Sequence, residues 1–125
     1  MIDFLTIKEK FPKSHKELLE WMHLFGNYNG YDYDWINFNL KFGTYSFKDR
    51  DLYDFFDKEG VIIEITYHNH KEFVQCYFKH FITIWDELEG KKEYFGEECF
   101  QSRHSAESAA FNKSFELLEE KLTKI

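Results

Sequence analysis

Val61-Ile62-Ile63-Glu64-Ile65-Thr66-Tyr67-His68-Asn69-His70-Lys71-Glu72-Phe73-Val74-Gln75-Cys76-Tyr77-Phe78-Lys79-His80-Phe81-Ile82-Thr83-Ile84-Trp85-Asp86 is the stretch that decides the fold. β-Branched and aromatic residues alternate along it on both sides of a polar segment, the pattern of a β-hairpin. A two-residue turn at Asn69-His70 sets His68 opposite Lys71, and hence Ile65 opposite Val74, Ile63 opposite Cys76 and Val61 opposite Phe78. Apolar residues then meet on one face, and a one-residue slip would destroy the match.

Downstream, Glu89-Gly90-Lys91 reads as a second turn into a strand over about 92–101 that carries Tyr94, Phe95, Cys99 and Phe100. A last helix over about 104–123 follows, with Phe111, Phe115, Leu118 and Leu122 in one stripe, Ala106, Ala109 and Ala110 for close approach to a sheet, and Ser102 or Ser105 as cap. Upstream, Ser46 or Asp49 caps a helix to about Lys58, with Leu52, Phe55 and Phe56 inward and Gly60 as terminator. Before it, the period is two: Ile36, Phe38, Leu40 and Phe42 share one face of a strand, while Tyr31, Tyr33, Trp35, Asn37, Asn39 and Lys41 share the other. Asn27-Tyr28-Asn29-Gly30 is turn chemistry. Ser14-His15-Lys16-Glu17 has the form of a capping box, opening a helix over 15–25 whose stripe is Leu18, Trp21, Met22 and Phe25 and whose stop is Gly26. Phe4, Ile7 and Phe11 suit a short helix over 2–11, ended by Pro12. The expected fold class is therefore α+β, an antiparallel sheet of about four strands with helices on one face, in the order α-α-β-α-β-β-β-α.

At 125 residues the chain is expected to be one domain, residues 1–125, able to bury a core without disulfides. With 43% hydrophobic and 21% aromatic residues, one Pro and six Gly, it is neither disordered nor collagen-like. No apolar run reaches the length of a membrane span, and Met1-Ile2-Asp3-Phe4 lacks the basic start of a signal peptide, so a cytoplasmic location without membrane contact is expected. Cys76 and Cys99 read as small buried hydrophobes rather than a disulfide framework.

The net charge of −7 argues against direct nucleic-acid binding, which needs a basic surface. Its excess lies in two segments. Asp49, Asp51, Asp54, Asp57 and Glu59 face only Arg50 and Lys58 (−3), and Asp86, Glu87, Glu89, Glu93, Glu97 and Glu98 face only Lys91 and Lys92 (−4). Such segments keep a protein soluble, and they also steer a basic partner.

Motifs for catalysis are missing. There is no Gly-x-Ser-x-Gly, no His-Glu-x-x-His and no glycine-rich phosphate loop. Asp54 and Asp57, one helical turn apart, are the best carboxylate pair, but with Arg50 four residues before Asp54 they read as surface ion pairing. Glu89-Gly90-Lys91 has a nuclease-like Glu-x-Lys spacing in a turn rather than a strand. His68, His70, Cys76 and His80 are the one ligand-type cluster, and zinc needs four convergent groups. In the hairpin His68 points to the polar face, His70 lies in the turn, and Cys76 and His80 point to the core, so no metal and no cofactor are expected. His80 is expected to be buried and neutral.

The unusual feature is the second face of the sheet. Tyr31, Tyr33 and Trp35 on one strand, with Phe73, Tyr77, Phe81 and Trp85 on another, point away from the core among polar neighbours. Large aromatics in polar company are the composition of protein-binding hot spots.

Lys48-Asp49-Arg50-Asp51-Leu52-Tyr53-Asp54-Phe55-Phe56-Asp57-Lys58-Glu59-Gly60-Val61, together with Phe100-Gln101-Ser102-Arg103-His104-Ser105-Ala106-Glu107 and the run from Ala109-Ala110-Phe111 to Leu122, resembles small proteins encoded by phages and mobile elements of Bacteroidetes-type bacteria. The likeness covers about residues 48–122. Those proteins often carry Thr-Glu where His104-Ser105 stands here, which bears on how the last helix is capped. The resemblance implies a phage-like origin, hence a bacterial host cell, and brings no catalytic residues. The leading expectation is a non-enzymatic accessory protein that binds another protein stoichiometrically, as an inhibitor of a basic, nucleic-acid-handling immune effector in the manner of anti-CRISPR proteins. The alternatives are a homodimer that buries the aromatic face, and a metal-dependent hydrolase that uses His68, His70 and nearby carboxylates.

Overall fold

The computed structural model describes residues 4–24, 49–69 and 76–124. Three antiparallel strands, β1 (Val61–Asn69), β2 (Cys76–Asp86) and β3 (Gly90–Phe95), lie side by side in the order β1-β2-β3. Among the described residues four helices accompany them: α1 (Phe4–Lys10), α2 (Pro12–Leu24), α3 (Asp49–Lys58) and α4 (Arg103–Thr123). The fold is α+β, as the alternation and the helical stripes predict; the strand expected over about 31–42 lies outside the described residues.

The hairpin forms, but in another register. Val61 pairs with Ile84, Ile63 with Ile82, Ile65 with His80 and Asn69 with Cys76, six residues further along β2 than the two-residue turn would give. Asn69 belongs to β1 itself, and residues 70–75 lie outside the described residues. An even shift keeps every side chain on its predicted face, so period-two alternation cannot separate the two registers. Packing can: the observed one sets Val61 and Ile63 beside Ile82 and Ile84, and all four are buried under the helices.

β3 also departs from expectation. It starts at Gly90, where φ is +79°, and ends at Phe95 rather than near Gln101. The Gly96 N–H still donates to the His80 carbonyl (2.9 Å), and the next contacts join Phe78 and Phe100 in both directions (2.7 and 2.9 Å). Two steps along β2 thus span four residues on the other chain, a bulge over 97–99 that ends regular pairing.

The helices cover the sheet face that carries Val61, Ile63, Ile82 and Ile84. α4 contributes Ala110, Phe111, Phe115, Leu117 and Leu118, α3 contributes Leu52, Phe55 and Phe56, and α2 contributes Leu18, Trp21 and Met22. The Phe115 ring sits 4.7 Å from that of Phe56 and 5.8 Å from that of Phe11, so its loss would cost about 3–5 kcal/mol.

The caps of the helices differ from one another in origin. Ser102 caps α4 as expected, its hydroxyl accepting the Ser105 N–H at 3.1 Å. The capping box at Ser14 is not realised. α2 already begins at Pro12, a residue suited to a first turn, with only Phe11 between it and α1. Ser14 is therefore inside the helix and fully buried. The free amides of that turn are taken by Glu119 of α4, which accepts from the Lys13 N–H (3.0 Å), the Ser14 N–H (2.8 Å) and the Ser14 hydroxyl (2.9 Å).

Candidate binding face

Because side chains alternate along a strand, the face opposite the helices carries Ile62, Glu64 and Thr66 from β1, Tyr77, Lys79, Phe81, Thr83 and Trp85 from β2, and Lys91, Glu93 and Phe95 from β3. Among the described residues this face keeps large apolar groups in water: Phe95 is 72% exposed, Trp85 54% and Ile62 37%. The Phe81 and Phe95 rings meet at 4.7 Å, an aromatic pair across β2 and β3. Leu88, in the turn just beyond Trp85, is exposed as well.

Tyr77, Phe81 and Trp85 thus point where the sequence predicts. Phe95 was not singled out by sequence reasoning. The signal that finds it is the pairing of Trp85 with Lys91, which places Lys91, Glu93 and Phe95 on the outer face. Tyr31, Tyr33, Trp35 and Phe73 lie outside the described residues.

Charges on this face are arranged in contact with the rings. The Lys91 ammonium lies 2.9 Å from the Glu93 carboxylate and 6.0 Å from the centre of the Trp85 ring. Lys79 stands 5.8 Å from the centre of the Tyr77 ring. Both are distances at which a cation is attracted to an aromatic quadrupole.

The acidic residues around β3 divide into two sets. Asp86 is structural: it accepts the Leu88 N–H (2.8 Å) and the Glu89 N–H (3.4 Å), and these bonds, with Lys124 and Lys92, hold its pKa below the usual carboxylate value. Glu89 is held by Lys92 and Lys124, whose hydrogen bonds lower its pKa, while Lys92 is raised in turn by Glu89. Glu93 is held by Lys91. Glu87, Glu97 and Glu98 are exposed and form no ion pair among the described residues.

The other acidic segment is elsewhere. α3 packs on β1 from the helix side, so its exposed Asp54, 4.0 Å from Arg50, and its exposed Asp57 lie across the sheet from Trp85. Asp51 is half-buried, and the side chain of Asp49 lies outside the described residues. Glu59 is half-buried too, with its pKa raised first by burial and then by Glu17, against the pull of Lys121. The two acidic segments and the rings therefore do not form one surface. Only the carboxylates around β3 border the aromatic face.

No cluster of three potential metal ligands occurs among the described residues. His70 and the side chains of His68 and Cys76 lie outside them. His80 is on the inner face, half-buried, with its ring 6.3 Å from that of Phe100 and against the backbone of Gly96. Burial lowers its pKa, so it is neutral near pH 7, and its buried Nδ1 has no hydrogen-bond partner among the described residues. Asp54 and Asp57 have none of the burial that tunes carboxylates for proton transfer.

Neither a known protein family, nor a curated protein, nor a solved structure matches the chain. Among the described residues no helix is long and apolar enough to cross a membrane.

Proposed function

We propose that this chain is a small accessory protein that acts by stoichiometric protein binding, as an inhibitor of a bacterial immune effector with a basic nucleic-acid groove, such as a CRISPR-Cas nuclease. The observation that carries the reading is the outer sheet face, where Trp85 and Phe95 stand open to water, with exposed Glu87 and Glu97 each two residues beyond one of them in sequence. Aromatic anchors provide binding energy, and rim carboxylates steer a basic partner and repel nucleic acid. The phage-like resemblance of residues 48–122 supplies the class of partner. Catalysis has no part in this function.

The test is a cleavage assay with purified effectors. Adding the protein at one to a few equivalents should stop cleavage, the inhibition should weaken with salt, and the double variant Trp85→Ser/Phe95→Ser should not inhibit. Effectors that cleave undisturbed, and that are not retained on the immobilised protein, would sink the reading. Light scattering covers the competing homodimer: a tight dimer dissolved by the same double variant would assign the face to self-association instead.

A further inference from the structure

We infer that the outer face holds a binding site for the guanidinium group of a partner's arginine, formed by the Trp85 ring and the Glu93 carboxylate, and that Lys91 occupies it in the free protein. The inference rests on the proposed protein-binding role and names the chemistry of the contact.

The geometry comes from the strand pairing. Trp85 of β2 is directly opposite Lys91 of β3, and Glu93 is the next residue of β3 on the same face. One cation therefore meets a carboxylate at 2.9 Å and an aromatic ring at 6.0 Å, with all three side chains about half exposed. A carboxylate next to a ring face suits a planar guanidinium better than an ammonium, since the fork can bond both carboxylate oxygens while its plane stacks on the indole. Lys91 reaches Glu93 with a single point charge. An incoming arginine that displaces it meets little resistance, because an exposed ion pair is only weakly held in water.

Charge selects the occupant. On the face itself Lys91 and Glu93 cancel, as do Glu64 and Lys79, while exposed Glu87, two residues beyond Trp85, and exposed Glu97, two beyond Phe95, tip the balance negative and favour a cationic segment over a second copy of the same rim. Phe95 and Phe81, paired at 4.7 Å, give the apolar stem of the arginine or its neighbour a surface to lie on.

The probe is a synthetic peptide with three arginines spaced by Gly and Ser, set against the same peptide with citrulline, which keeps the shape and removes the charge. Binding is read from the indole N–H signal of Trp85, assigned by comparison with Trp85→Phe. The arginine peptide should shift that signal and the citrulline peptide should not. Lys91→Ala should bind roughly threefold or more tightly by vacating the site, whereas Lys79→Ala, which removes the same charge elsewhere on the face, should change affinity less. Glu93→Gln should weaken binding. Equal binding of the citrulline peptide, or equal gains from Lys91→Ala and Lys79→Ala, would overturn the site. Trp85, Lys91 and Glu93 are exposed and Lys79 is half-buried, and a thermal melt of each variant checks that it folds. If an effector is retained by Glu93→Gln as firmly as by the parent protein but lost with Trp85→Ser/Phe95→Ser, the arginine site fails while the binding face stands.

Discussion

Glu119 carries more of the fold than its sequence position suggests, and Glu119→Ala measures it. The parent carboxylate accepts three hydrogen bonds from the first turn of α2, two from amides that have no helical partner and one from the hydroxyl of the fully buried Ser14. Loss of a cap of this kind costs about 0.5–2 kcal/mol, and the stranded Ser14 hydroxyl adds about 1 kcal/mol. Alanine's better helix propensity in α4 returns a few tenths of about 1 kcal/mol. The net expectation is a destabilisation of about 2 kcal/mol, which for a domain of this size lowers Tm by roughly 8 °C. Urea unfolding followed by circular dichroism, with the denaturant slope unchanged, is the assay. Glu116→Ala is the control, because Glu116 meets only the exposed Lys113 at 3.3 Å and should shift stability by less than about 0.5 kcal/mol. If Glu119→Ala proves no more costly than Glu116→Ala, the clamp between α2 and α4 does not hold the helix layer together and the reasoning is wrong.

Three further outcomes follow from the packing around His15, Gly96 and Trp85. His15 is buried, and burial with the nearby Lys8 holds its pKa at about 4 against an ordinary 6.5, so the unfolded chain takes up a proton first as the solution is acidified. Stability should fall by roughly 2 kcal/mol between pH 6.5 and pH 4, in the same direction as the contribution of His80 and against that of Glu59, and His15→Leu should flatten that slope in pH-dependent urea titrations. A Cβ at Gly96 would stand 2.6 Å from the His80 ring, so Gly96→Ala should destabilise by about 1–2 kcal/mol, and His80→Ala in the same chain should recover most of the loss in a double-mutant cycle. Trp85→Ser/Phe95→Ser should leave stability within about 1 kcal/mol of the parent while removing partner binding, since both rings are already largely in water.

Local patterns were legible wherever the partner of a residue is its neighbour in sequence. The stripes of α3 and α4, the Ser102 cap, the stop at Gly60 with φ +81° and the inward and outward sets of β2 all follow from period, cap chemistry and backbone freedom. What escaped depends on distant partners. The hairpin register needs the helix layer that buries Ile82 and Ile84, and the cap of α2 needs a carboxylate more than one hundred residues away. The candidate face was legible in Tyr77, Phe81 and Trp85. Glu93 was legible as part of an acidic segment, but its pairing with Lys91 on the aromatic face, and the place of Phe95 there, were not, because their side of β3 is fixed only by pairing to β2. Adding up charge by segment also misled in part: half of the acids between Asp86 and Glu98 are held by Lys91, Lys92 and Lys124, and α3 displays its acids on the far side of the sheet.

That division of labour between the two sheet faces bears on the proposed function. The inner face is closed by Val61, Ile63, Ile82 and Ile84 against four helices, and nothing in that core depends on Trp85 or Phe95. Apart from the Phe81–Phe95 pair, the outer rings therefore expose apolar surface that the core does not use, while Lys91 and Lys79 lie over two of them. Long lysine stems shield ring faces from water and keep such a surface soluble, yet they are easily displaced because their charges stay hydrated. A face screened by replaceable cations suits a protein that must remain dispersed until it meets a more strongly held cation. Solubility and binding are then two readings of one contact: removing Lys91 should raise affinity for the arginine peptide and, in the absence of that peptide, increase self-association at high protein concentration.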